Sequence, residues 1–189
     1  AAMIPYTTDP RADTGVTNVT MGIWLFLASE VMLFGALFSS YALLRVSAPS
    51  WPNGREVLDV TLGAINTVVL ILMTAATWRA RARPAGARAL LGLSSTFALA
   101  FLAIKGFEYS GEIGRGLVPS VNTFLAMYFT LTGLHALHVV AGLVANVWVM
   151  AGASRAGAAM TSGRVRALSL YWAFVDVVWL VIFILMYLS

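Results

Sequence analysis

Two histidines set three residues apart, His135 and His138, and two carboxylates lodged inside apolar sequence, Glu30 and Asp176, are the side chains best placed for chemistry. Imidazole binds metals and exchanges protons near neutral pH. An ionisable group within lipid costs several kcal/mol unless paired, so each of these positions is a functional candidate. Glu30 sits in the run Gly22 to Tyr41, flanked by Leu27, Val31, Leu33 and Phe34. Two readings of it stand: a packing hydrogen bond to another helix or subunit, and a proton-linked or lipid-contacting role. The histidine pair reads either as metal ligands or proton carriers, or as interhelical hydrogen bonds. A metal would find two imidazoles here and no cysteine, so carboxylates would have to complete the set. Bis-histidine haem ligation needs imidazoles from opposite sides, hence from different helices, and predicts no haem on this chain alone. No nucleophilic triad, phosphate loop or dinucleotide fingerprint is present.

Further polar positions follow helical spacing. Tyr128, Thr132, His135, Gly142 and Asn146 line one helix face, which predicts that this face is buried in protein. Asp59, Gly63, Asn66, Leu70 and Thr74 fall on one side of another helix, and Gly35 with Ser39 offers a close-approach site; both read as helix packing. Lys105 and Glu108 lie one turn apart, with Glu112 and Arg115 beyond, and read as a solvated interfacial charge cluster or a place to dock a subunit. Trp24, Trp51, Trp78, Trp148, Trp172 and Trp179 read as interfacial anchors near span ends.

The elements that must carry these residues are membrane helices. Of 189 residues, 60% are hydrophobic and 11% charged, and the mean hydropathy is +0.84. So few charges cannot cover a water-facing surface, which excludes both a soluble globular domain and disorder. A bilayer core about 30 Å thick needs about 20 apolar helical residues. Runs of that length occur at about 19–44, 57–78, 89–109, 121–151 and 167–188, giving an all-α polytopic bundle of five transmembrane helices and a single membrane domain over 1–189. The connections hold the breakers Pro49, Pro52, Pro84, Gly86, Gly111, Gly114, Gly116, Pro119, Gly152, Gly157 and Gly163. Such long runs exclude a closed barrel. The first run is too long for a signal-peptide core and counts as a true span, and the chain opening on Ala1 rather than methionine predicts a few residues upstream.

Arg11, Arg79, Arg81, Arg83, Arg88, Arg155, Arg164 and Arg166 share one face, whereas Arg45, Arg55, Arg115 and Lys105 belong to the other. This asymmetry places the amino terminus in the cytoplasm and the carboxyl terminus outside. It also accounts for the net charge of +4 without nucleic acid.

Several segments together resemble subunit III of haem-copper terminal oxidases, almost end to end. They are Ser29-Glu30-Val31, Trp51-Pro52, Asn66-Thr67-Val68-Val69-Leu70 and Phe107-Glu108-Tyr109, with two more specific stretches, Thr130 to Val139 (TLTGLHALHV) and Tyr171 to Trp179 (YWAFVDVVW). The resemblance is to the shorter, five-span bacterial members that lack the first two helices of the seven-span form. Two departures stand out: Ala173 where the family usually has histidine, and Arg79-Ala80 after Trp78 where it has histidines. The resemblance implies a cofactor-free subunit of a proton-pumping, oxygen-reducing complex, cytochrome c oxidase first, in a bacterial cytoplasmic (inner) membrane. Haem and copper would belong to partner subunits I and II. This chain would pack on subunit I, bind phospholipid, and support proton uptake and active-site stability. It further implies that Glu30 matches the family's intramembrane glutamate and that His135, His138, Glu108, Asp176 and Asn66 form a structural polar network, with no catalytic or metal-binding residue. A subunit III-like component of a quinol oxidase or nitric oxide reductase is the near alternative. An independent proton-linked carrier relaying through Glu30, His135, His138 and Asp176 is the alternative of another class.

Overall fold

The computed structural model describes residues 10–12, 14–152 and 158–189, with side chains omitted for 158–161. Arg155 and Gly157, assigned above to the arginine-rich face and its loop, lie outside the described residues. The elements are α1 (Asn18–Ser47), the single turn α2 (Gly54–Val57), α3 (Val60–Ala82), α4 (Ala87–Gly114), α5 (Thr123–Gly152) and α6 (Ala158–Ile182), which closes in a π-turn, Phe183–Tyr187. Five of these are long and apolar enough to cross a membrane. No strand occurs among the described residues.

Local chemistry sets the ends. Thr17 Oγ1 accepts from Thr20 N at 3.2 Å and caps α1, which ends where Ala48 turns extended ahead of Pro49. Asp59 Oδ1 accepts from the amides of Thr61 and Leu62 at 2.9 and 3.0 Å. It is therefore the exposed N-cap of α3 and not part of that helix's packing face, which moves the start of the span from Val57 to Val60. Asn122 Oδ1 accepts from Leu125 N at 2.8 Å ahead of α5. Gly111 and Gly163 break nothing, since α4 and α6 run through them and one glycine in a long apolar helix costs only about 1 kcal/mol, whereas α4 and α5 end at Gly114 and Gly152. Gly116, at φ +78°, makes the turn out of α4.

Four helices form the core. α3 packs chiefly on α4 and then on α6, while α5 packs on α6 and α4. Trp172 and Trp179, seven residues apart on α6, are fully buried at its centre, so they are core side chains and not the interfacial anchors their type suggested. A Cβ at Gly142 would stand 2.5 Å from the Trp172 ring, so a glycine on α5 is what admits that indole. Trp172 Nε1 donates to Asn146 Oδ1 at 3.1 Å, and Asn146 Nδ2 reaches Ser94 and Ser95 Oγ at 3.2 and 3.3 Å. Ser94 in turn meets Thr77 at 2.9 Å. One polar ladder thus ties α3, α4, α5 and α6 where no water is available.

The first span is peripheral. It touches α6 and, lightly, α5, and buries only Leu27, Phe34 and Tyr41, a seam of seven-residue spacing. Gly35 and Ser39 are exposed, and nothing lies within 4 Å of a Cβ at Gly35, so among the described residues they form no packing site within this chain, contrary to their reading as one.

Candidate functional site

Among the described residues, two groups of paired ionisable side chains lie within the apolar bundle, one on the peripheral helix and one in the core. On the first, α1 carries Glu30 and α5 carries His138, and His138 Nε2 meets Glu30 Oε2 at 2.8 Å with both side chains mostly buried, at 11% and 13% exposure. The other ring nitrogen, Nδ1, lies 2.8 Å from the carbonyl oxygen of Leu134. A carbonyl only accepts, so Nδ1 bears a hydrogen. The contact with Glu30 then holds one proton, either as carboxylic acid on neutral imidazole or as carboxylate on imidazolium, and the pair is electrically neutral in both forms. That neutrality suits its low-dielectric surroundings. Phe34 stacks edge-on to His138 at 5.1 Å, and Tyr171 donates to the His138 carbonyl at 2.7 Å, fixing α1, α5 and α6 around the pair.

His135 is placed differently. It is fully buried on the α5 stripe, between Phe101 at 5.5 Å and Trp179 at 5.1 Å, and neither ring nitrogen has a hydrogen-bond partner. The two histidines therefore do not converge on one point. Among the described residues no three His, Cys, Asp or Glu side chains come together as a metal site. Asp176 stays apart from both: it is buried on α6, and its Oδ1 has no hydrogen-bond partner. Asn66 is fully buried on α3 with both amide atoms unpartnered, while its neighbour Thr67 accepts from Trp179 Nε1 at 3.0 Å. The remaining stripe residues Tyr128, Thr132, Gly142 and Asn146 are buried.

The second centre is the one that sequence reasoning misplaced. Lys105, Glu108 and Glu112 are 2%, 3% and 1% exposed, so they form a sealed cluster and not a solvated one. Lys105 Nζ donates to Glu108 Oε2 at 3.1 Å, to Tyr128 Oη at 2.8 Å and to Tyr187 Oη at 2.5 Å. Tyr187 donates to Glu108 Oε1 at 2.6 Å, and Tyr128 lies 3.0 Å from both Glu108 Oε1 and Glu112 Oε1. The rings of Tyr109, Tyr128, Trp179 and Tyr187 surround the ammonium at 4.6 to 5.5 Å. The signal for this lay in the spacing: Lys105, Glu108 and Glu112 stand at i, i+3 and i+7, one helix face, and that face is continuous with the apolar Phe101 and Ala98.

An apolar groove of about 360 Å³ opens between α1, α5 and α6, lined by Ile23, Phe26, Ala145, Leu168 and Tyr171. Trp148 and Arg164 stand at its arginine-rich end, with the guanidinium 4.3 Å from the indole ring. Arg164 Nε is buried without a hydrogen-bond partner.

Comparison with known proteins agrees with this architecture. The family described as Cytochrome c oxidase subunit III matches residues 10–189. The chain is 33% identical over 182 residues to cytochrome bo(3) ubiquinol oxidase subunit 3 of Pseudomonas putida, covering 93% of this chain and 87% of that one. It is 34% identical to cytochrome c oxidase subunit 3 of Synechocystis sp., covering 88% and 74%. A heme-copper oxidase subunit I+III of Aeropyrum pernix matches 90% of this chain at 34% identity over 23% of its own length.

Proposed function

The chain belongs to the cytochrome c oxidase subunit III family, and from that premise we propose that it serves as the cofactor-free third subunit of an oxygen-reducing, proton-pumping haem-copper oxidase in a bacterial inner membrane. The observation that carries this reading is the match over residues 10–189, which takes in both polar centres and all five spans. The arginine-rich end faces the cytoplasm. Haem and copper reside in the partner subunits I and II. Docking on subunit I finds support in the Aeropyrum relative, whose name joins subunits I and III in one chain.

The role of this chain is to hold lipid and order beside subunit I. The groove between α1, α5 and α6 takes a phospholipid acyl chain, and the Arg164 guanidinium, stacked over Trp148 at the end of the groove, takes the phosphate. Glu30 and His138 stand at the far end of that groove, bridging its walls through Tyr171. They keep α1 in place, and with it the lipid that lies along it. Support for proton uptake and for the lifetime of the oxidase in turnover follows from that ordering.

Mild solubilisation, capture of this chain and a reduced-minus-oxidised visible spectrum test the reading. Haem bands reacting with carbon monoxide, together with oxygen consumption, support it, and presenting cytochrome c against ubiquinol then names the donor. Turnover with nitric oxide alone would assign the nitric oxide reductase alternative. A colourless chain that purifies by itself and moves protons in liposomes would overturn the oxidase assignment in favour of a carrier.

A further inference from the structure

The Lys105 cluster contains one more short contact than its side chains have hydrogens to fill. Six oxygen or nitrogen pairs lie at 2.5 to 3.1 Å: Lys105 with Tyr128, Tyr187 and Glu108, Tyr187 with Glu108, and Tyr128 with Glu108 and with Glu112. The Tyr128 and Tyr187 oxygens, 3.4 Å apart, lie beyond the ordinary O–H···O range and need none. Lys105 supplies three hydrogens and each tyrosine one, so with both carboxylates ionised there are five. One pair of oxygens would then face each other at 3.0 Å with lone pairs only. A sixth hydrogen closes the network.

Two observations say where it sits. Glu112 Oε2 is buried with no hydrogen-bond partner, whereas both oxygens of Glu108 are engaged, so an ionised Glu112 would hold charge on an unpaired atom. Glu112 also lies in the last turn of α4, which ends at Gly114, where the negative end of the helix dipole opposes a carboxylate. The groups facing the cluster are Lys105, Glu108, Tyr109 and Arg115 from α4, Tyr128 from α5 and Tyr187 from the π-turn. Of these, Tyr109 pairs its hydroxyl with Thr132 at 2.5 Å outside the cluster, and Arg115, the exposed C-cap of α4, makes no hydrogen bond to it; the others are hydrogen-bonded within it.

We propose that Glu112 is a buried proton-binding site, holding as a carboxylic acid the sixth hydrogen of a cluster whose net charge is then zero. Glu112 Oε1–H donates to Tyr128 Oη, and Tyr128 donates to Glu108 Oε1. The proton leaves by a paired shift: the Glu112 O–H bond breaks as a bond to Tyr128 oxygen forms, and the Tyr128 hydrogen passes to Glu108. Glu108 and Gly111 form part of the wall of a polar cleft of about 640 Å³, which also includes Asp59, Arg55 and Arg115 and opens at the arginine-poor end. Glu108 thus gives the otherwise sealed site its route to the aqueous phase, on that side.

Infrared spectroscopy of this chain, in whichever complex it purifies, tests the proposal separately from the oxidase assignment. The wild type should show a protonated-carboxyl C=O band that shifts in D2O. Glu112→Gln should lose that band with little change in thermal stability, since Gln keeps the shape and can donate to Tyr128. Tyr128→Phe should keep the band but shift its frequency and slow its exchange. This variant tests the site even if Glu112→Gln does not assemble. A carboxyl region unchanged in Glu112→Gln, or a band neither shifted nor slowed in Tyr128→Phe, overturns the proposal.

Discussion

The Glu30–His138 pair and the Lys105 cluster solve one problem, an ionisable group in a low-dielectric bundle, in opposite ways. The pair joins a peripheral helix to the core through a single contact of 2.8 Å and remains about one-eighth exposed. The cluster draws on α4, α5 and the π-turn, buries every member to 3% exposure or less, and places four rings around its cation. Charge can be stored deep only where several helices already meet. On α1, which buries three side chains, the affordable solution is a neutral pair sharing one proton. The pair is therefore the more adjustable contact, at the edge of the bundle, while the cluster belongs to its packed core.

The contrast is most exposed at Lys105. Lys105→Met leaves Glu108 buried without its cation and should cost about 3–5 kcal/mol, read as a lowered Tm of the detergent-solubilised complex. A loss no larger than that of the Glu30 variants would remove the distinction between the two centres. Tyr187→Phe strips one acceptor from Lys105 and one donor from Glu108, and about 1–3 kcal/mol is expected by the same measurement. His138→Phe breaks the one polar tie between α1 and α5 among the described residues, but interhelical hydrogen bonds in membranes are weak, so about 1 kcal/mol is expected. Its sharper readout is structural: crosslinking between α1 and α5 should fall while crosslinking between α3 and α4 does not. Glu30→Gln should barely move Tm, by well under about 1 kcal/mol, because the amide still reaches Nε2. It should nevertheless shorten the turnover lifetime of the assembled oxidase, and an unchanged lifetime would strip Glu30 of the ordering role proposed for it.

Much of the fold was legible because membrane helices are written in composition: runs of about 20 apolar residues can only be helices in lipid. The α5 stripe from Tyr128 to Asn146 was legible for a similar reason, since polar residues recurring at helical spacing must face protein. The misplacement of Lys105, Glu108 and Glu112 has a definite cause. A charge near a span end is ordinarily solvated, and what reverses that here is Tyr128 from 23 residues away and Tyr187 from 82, neither of which local sequence connects to it. Trp172 and Trp179 illustrate the same limit. Their type favours an interface, but Gly142 and Thr67 on other helices make the space and the hydrogen bond that bury them.

By itself, then, the sequence determined the five spans, their alternation, the charge asymmetry between the two ends and the family to which the chain belongs, because each depends on composition or short-range spacing. Tertiary structure alone decided that Glu30 meets His138 and not Asp176, that the two histidines part company, and that a lysine with two glutamates is sealed among aromatic rings. Those outcomes depend on how helices rotate and approach one another, and in lipid that is settled by close packing at small residues and by the need to pair every buried polar atom, not by the hydropathy of any one segment.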